Sequence, residues 1–228
     1  MESFLEGDET RSPSVQCRVD PLGRPSLIST HDQLLGGPLG QVYWGCTFPA
    51  RGPYLRDLHD AGLRVADVLA EEGALGRFGV DFVAIRHGER WETSAIEINL
   101  RKGGTTHPYL MLQFLTDGRY EPETGLYRTA AGRTCCYWAS DNLGHPALQG
   151  LTPDDLIDVA VNHDLHFDAA RQQGVMFHLL GALPDHGKLG AVTIGETHAD
   201  AERYFRRTLG VLHDVACGRT QDAPRIAV

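Results

Sequence analysis

Apolar and polar positions alternate with a period of two over Phe78–Ile85 and again over Trp91–Leu100, around the polar turn His87-Gly88-Glu89-Arg90. This pattern predicts a β-hairpin within the stretch 76–108. Phe78, Val80, Phe82 and Ala84 fall on one face, matched by Ile96, Ile98 and Leu100, while Glu97, Asn99 and Arg101 share the other face of the second strand. A turn centred near Gly88–Glu89 sets Asp81 opposite Glu97 and Asn99 opposite Gly79, which has no side chain to fill the space. Facing carboxylates repel, and a cation held between them relieves the repulsion. Two carboxylates, one amide oxygen and an open gap suit Mg²⁺, a hard ion that keeps waters or takes phosphate oxygens. The pattern alone fits the solvated face of an ordinary hairpin equally well.

The rest of the chain alternates between strand-like and helix-like periods. SVQCRVD (14–20) and SLISTHD (26–32) read as strands around the turn PLGRP, and Gln41–Phe48 as another. Leu55, Leu58, Val65 and Leu69 recur at helical spacing with Arg56, Asp57, Asp60, Arg64, Asp67 and Glu71 on the other faces, and Gly73 is placed to stop that helix. Residues 109–115 read as a buried helix, 120–129 and 134–142 as strands, and 144–151 as a linker. Thr152-Pro153-Asp154-Asp155 has the order of a helix start: an N-cap hydroxyl, Pro at the first position, then acids. Gly174–Leu183 and Leu189–Ile194 follow as strands joined by PDHGK, then a helix over Ala199–Ala216. The expected class is α+β: a mostly antiparallel sheet with packed helices over 1–150, a small α+β domain over 151–218, and a tail at 219–228.

With 228 residues, 42% of them hydrophobic and 22% charged, the chain is long enough for a sizeable core. A net charge of −9 argues against nucleic acid or an anionic membrane as partner. No apolar run reaches the length of a membrane span and the start lacks a secretory pattern, which makes the expected compartment the cytoplasm. The five cysteines have no CxxC spacing and read as reduced thiols. The eleven histidines form no HExxH pattern, His163-Asp-Leu-His166 being the nearest approach. Every basic residue except Lys102 and Lys188 is Arg.

The hairpin resembles the metal-binding core of the ATP-grasp superfamily, in which an acid on one strand and Glu-x-Asn on the next hold Mg²⁺ against ATP phosphates. The matching positions are Asp81, Glu97 and Asn99. EINLR followed by a polar loop is similar to the biotin-carboxylase branch, whose Arg two residues after the Asn serves the active site, as Arg101 would. GVDFV with EINLRKGGTTHP most resembles the pheganomycin-type peptide ligases, and 152–216 resembles their extra C-terminal domain. Glu2-x-Phe4-Leu5-x-Gly7-x-Glu9 is similar to the hinge of these ligases, where backbone around the aromatic–aliphatic pair bonds adenine and the last Glu bonds the ribose. One departure stands out. D-alanine–D-alanine ligases carry an Arg two residues before the metal Asp, and Gly79 occupies that position, so Arg101 or Arg77 would supply the charge.

The resemblance implies an ATP-grasp C-terminal lobe that joins a small-molecule carboxylate to an amine or peptide through an acyl phosphate, with ATP and Mg²⁺ as cofactors. Arg101 and His107 would act in catalysis, Glu2, Phe4, Leu5, Glu9 and Arg101 would bind ATP, and Gly103, Gly104, Thr105 and Thr106 would form the substrate loop. In the family a phosphate-contacting Lys and a Gly-rich flap precede the hinge, and neither Lys102 nor Lys188 does so. The chain therefore reads as the C-terminal half of a ligase, with an upstream lobe in a longer parent or supplied in trans. The alternative is a catalytically inactive nucleotide- or metal-binding remnant, or a partner-interaction module.

Overall fold

The computed structural model describes residues 7–38 and 40–219. They form two compact units: the described residues up to 43 with 47–110 and 119–127, and 44–46 with 111–118 and the described residues from 128 on.

The first unit contains β1 (Glu9–Arg11), β2 (Pro13–Val19), β3 (Pro25–Gly36), most of β4 (Val42–Phe48), α1 (Leu55–Glu71), β5 (Gly76–His87) and β6 (Arg90–Asn99). β1 and β2 follow one another along one edge of β5, β6 takes the other edge, and β3 and β4 continue outward from β2. The pairings of β5 with its neighbours and of β2 with β3 are antiparallel. Next come α2 (Thr106–Thr116), whose first turn belongs to this unit, and the ribbon of β7 (Arg119–Glu121) and β8 (Leu126–Arg128).

The period-two pattern divides the sheet's faces. Val15, Cys17, Val19, Phe78, Val80, Phe82 and Ala84 form one buried cluster with Leu58 and Ala66 of α1. The line of closest approach runs through small residues: a Cβ at Gly62 would lie 2.7 Å from a Val15 methyl. Leu58, His59, Gly62 and Ala66 are accordingly the buried positions of α1, while Leu55, Val65 and Leu69 flank them. Gly73, at φ 78°, ends the helix. Its N–H donates to Ala70 O and that of Ala74 to Leu69 O, the paired bonds of a Schellman stop.

The apolar match across the hairpin fails on its second strand. Ile96, Ile98 and Leu100 are 60%, 49% and 65% exposed. β6 is an edge strand, and α1 packs chiefly on β2 and β3. A bulge also leaves Ile96 unpaired between Glu97, opposite Asp81, and Ala95, opposite Phe82.

The second unit holds β9 (Cys136–Gly144), α3 (Pro153–Asn162), β10 (Gly174–His178), the short α4 (Leu183–His186), β11 (Lys188–Gly195) and α5 (His198–Arg219). β11 lies between β9 and β10, antiparallel to both. Leu143, Leu156, Leu165, Leu189, Phe205 and Leu212 belong to its core, and Trp138 stacks on Phe205 at 5.2 Å. α3 starts as the sequence indicates, with a reciprocal capping box between Thr152 and Asp155. The strand expected over 174–183 stops at His178, because Leu179 turns left-handed at φ 57° and Pro184 sits in the first turn of α4. This unit also takes in 128–150, which the sequence reading groups with the first domain. Residues 109–115 lie in α2, where Tyr109 and Leu112 are buried but Phe114 is 91% exposed.

Candidate metal and phosphate site

The site grows out of the hairpin's register. His87 pairs with Arg90, leaving Gly88 and Glu89 as a two-residue turn, and Gly88 has the positive φ (63°) such turns require at their first position. Register then puts Asp81 opposite Glu97 and Gly79 opposite Asn99. All four line one cleft of about 420 Å³ in the first unit, with Arg101, Gly103, Gly104 and Thr105.

Asp81 is the centre of its polar contacts. Gln33 Nε2 donates to Oδ1 at 2.9 Å, and Asn99 Nδ2 donates to Oδ2 at 2.9 Å. Burial pushes the Asp81 carboxyl up from its ordinary pKa and the charge of Glu97 pushes the same way, against the Gln33 amide, the Arg101 guanidinium and the Asn99 amide. Glu97 itself is exposed on the edge strand. Among the described residues no group of three or more His, Cys, Asp or Glu is placed to hold a metal. The donor set is two carboxylates completed by an amide, and it leaves room for water or phosphate oxygens. Asp81 bears the cost of a neighbouring like charge, which a hard cation would remove, so these residues fit Mg²⁺.

The loop after β6 is built for close approach. Thr106 Oγ1 accepts from Gly103 N at 3.2 Å and Thr106 N donates to Gly103 O at 3.1 Å, folding the loop onto the start of α2. A Cβ at Gly104 would lie 2.8 Å from the Tyr43 ring, whereas one at Gly103 would meet nothing within 4 Å. Arg101 is exposed, with Nη1 3.3 Å from Lys102 O.

Several expected residues lie elsewhere. Glu9 pairs with Arg86 on β5, five positions along the strand from Asp81 and so about 16 Å away. Its carboxylate is held by Arg11 at 2.7 Å and Arg86 at 3.2 Å, and the Arg11 hydrogen bond keeps its pKa below the ordinary carboxylate value. Glu9 therefore joins an ion-pair cluster near the hairpin turn and does not line the cleft. His107 is exposed in the first turn of α2; neither it, Thr106 nor Arg77 lines the cleft. Glu2, Phe4 and Leu5 lie outside the described residues.

The cleft also contains residues not anticipated from sequence: Ser12 and Gln16 at and beside β2, Gln33 on β3, and Gln41 and Tyr43 at the start of β4. Gln16 pairs with Gly79, and a Cβ on Gly79 would run into its amide at 2.8 Å. The space opened by the missing side chain is thus filled by a glutamine from the neighbouring strand. The one local signal was that Ser14, Gln16 and Arg18 alternate with Val15, Cys17 and Val19.

The fold is that of the ATP-grasp enzymes. It is similar to the phosphoribosylaminoimidazole carboxylase ATPase subunit of Aquifex aeolicus, with TM-score 0.55 and 12% identity over 93% of this chain and 58% of that one. The biotin carboxylase domain of the Hydrogenobacter thermophilus 2-oxoglutarate carboxylase gives TM-score 0.57 and 13% identity over 97% and 48%. Within that class the chain resembles the pheganomycin-type ligases. The PGM1 C-terminal domain model matches residues 155–208. A curated L-propargylglycine--L-glutamate ligase of Streptantibioticus cattleyicolor is 34% identical over 93% of this chain, and the chain spans 42% of that relative.

Proposed function

We propose that this chain carries the metal- and phosphate-binding half of an ATP-dependent carboxylate–amine ligase. The carrying observation is that two facing carboxylates, an amide, an arginine and a glycine loop meet in one cleft. Asp81, Glu97 and Asn99 would hold Mg²⁺, which supplies charge neutralisation to the phosphates when bound. Arg101 offers a fixed cationic fork to a phosphate or acyl-phosphate oxygen. Gly103, Gly104 and Thr105 bring loop backbone close to the substrates, and Thr106 holds that backbone in shape. The proposed reaction transfers the γ-phosphoryl of ATP to a carboxylate. The amine nitrogen then forms the amide bond as the acyl carbon's bond to the phosphate oxygen breaks, giving ADP and inorganic phosphate.

The L-propargylglycine--L-glutamate ligase joins two amino acids, which favours amino-acid or peptide substrates here. We assign adenine recognition to Phe4 and Leu5 by the resemblance, and we do not carry the ribose role over to Glu9. No lysine lines the cleft among the described residues. Positioning two reactants for phosphoryl transfer needs both walls of a site, so the phosphate-contacting lysine and flap are assigned to an ATP-grasp N-terminal lobe, in a longer parent or in trans. We assign the reaction to the cytoplasm, a compartment that supplies ATP.

The test is calorimetric binding of ADP and ATP to residues 1–228 with and without Mg²⁺, then an amino-acid and peptide panel scored for ADP release with and without that lobe. Weak Mg²⁺-dependent binding is expected, in roughly the micromolar-to-millimolar range, with ligation only when the lobe is supplied. Nucleotide binding indifferent to Mg²⁺ would remove the metal assignment.

A further inference from the structure

Asp81 is held from two sides. Gln33 reaches it from β3, across β2, and Asn99 reaches it from β6 on the opposite edge of β5. A carboxylate oxygen only accepts, so each amide turns its NH₂ end to Asp81. Each 2.9 Å bond therefore occupies a different oxygen: Oδ1 faces the β3 side and Oδ2 the β6 side. Glu97, the facing carboxylate, is also on β6. A cation between Asp81 and Glu97 therefore meets Oδ2 alone. For Asn99 to give such a cation its own carbonyl oxygen, its amide must turn over. That turn releases Oδ2, the oxygen the cation needs, while Gln33 keeps Oδ1 engaged.

We infer that Gln33 is a positioning residue that restricts Asp81 to one-oxygen coordination, so that the cleft selects small six-coordinate divalent ions over Ca²⁺. Mg²⁺ demands near-octahedral geometry with short bonds and retained waters, whereas Ca²⁺ takes more ligands and readily uses both oxygens of a carboxylate. Tying down one oxygen of Asp81 penalises the second kind of ion. Gln33 touches neither nucleotide nor metal in this scheme; it acts through Asp81. The inference rests on the proposed metal site.

The experiment is electron paramagnetic resonance of Mn²⁺ bound to residues 1–228 with ADP, with Ca²⁺ as competitor, in the wild type, Gln33→Met and Gln33→Glu. Both variants keep the length of the side chain and remove the donor, and thermal melting checks their fold. The wild type should prefer Mn²⁺, and both variants should shift the Ca²⁺-to-Mn²⁺ affinity ratio towards Ca²⁺ by about tenfold or more, the scale of outer partners of metal ligands. A wild-type ratio in a folded variant overturns the inference, because a merely structural glutamine would change stability without changing the ratio. Loss of fold in both variants overturns it too, making Gln33 a structural residue. Failure of the wild type to bind Mn²⁺ would remove the metal site and, with it, the proposed function.

Discussion

Replacing Glu97 with Gln separates the metal reading from the ordinary-hairpin reading. Glu97 is exposed on an edge strand, so the substitution leaves no cavity and no buried group without a partner. What it removes is the charge facing Asp81 across the hairpin. Such like-charge pairs destabilise by roughly 0.2–1 kcal/mol. In a chain of this size that corresponds to a rise of about 0.5–4 °C in melting temperature for the metal-free variant. The pH dependence carries the same signature. A carboxyl with a raised pKa holds its proton more tightly folded than unfolded. Asp81 therefore lowers stability as pH climbs from the ordinary carboxylate range through its raised value, and the loss persists above it. Without the Glu97 charge that loss shrinks, leaving the part due to burial. In the wild type, Mg²⁺ and ADP at about 100 times their dissociation constant should stabilise by about 2.7 kcal/mol, or roughly 5–10 °C. The variant should lose most of this gain. Scanning calorimetry on both proteins, with and without Mg²⁺ and ADP and from pH 4 to 8, reads every one of these quantities. A variant that melts below the wild type without metal, or is stabilised by Mg²⁺ and ADP to the same extent, refutes the account of Asp81 and Glu97.

Gly104→Ala should destabilise the first unit by about 1–3 kcal/mol, because its Cβ would press on the Tyr43 ring, and Gly103→Ala should do far less; chemical denaturation of the two variants compares them. Gly62→Ala trades helix propensity against a 2.7 Å approach to Val15, and the clash should win by about 1–2 kcal/mol, measured the same way. His31 is fully buried and burial pulls its pKa down to about 3. It stays neutral in the fold while the unfolded chain takes up a proton below the ordinary histidine value of 6.5, so stability falls as pH drops from 6.5 towards 3. His31→Gln should flatten that acid limb by about 1.4 kcal/mol per pH unit in urea titrations at several pH values.

What the sequence determined by itself was whatever depends on neighbours along the chain. The hairpin register follows from alternation and one glycine turn, so Asp81 facing Glu97 and Asn99 facing Gly79 were legible before any tertiary contact was known. So were the α3 capping box and the Gly73 stop, each local chemistry within a few residues. The tertiary structure decided what distant strands bring to the hairpin. Gln16 and Gln33 look like any polar residues on alternating strands until β2 pairs with β5 and β3 with β2, which brings Gln33 to Asp81, 48 residues on, and Gln16 to Gly79, farther still along the chain. It also decided which apolar residues are covered: Phe78, Val80 and Phe82 are buried in the cluster they share with Val15, Leu58 and Ala66, while Ile96, Ile98 and Leu100, with the same period, are exposed on the edge strand. Alternation states which residues share a face; only packing states whether that face meets another. The same limit hid the setting of Glu9, whose motif spacing suits a ribose-binding carboxylate. The pairing of β1 with the far end of β5 puts it between Arg11 and Arg86, where two guanidinium groups take its charge.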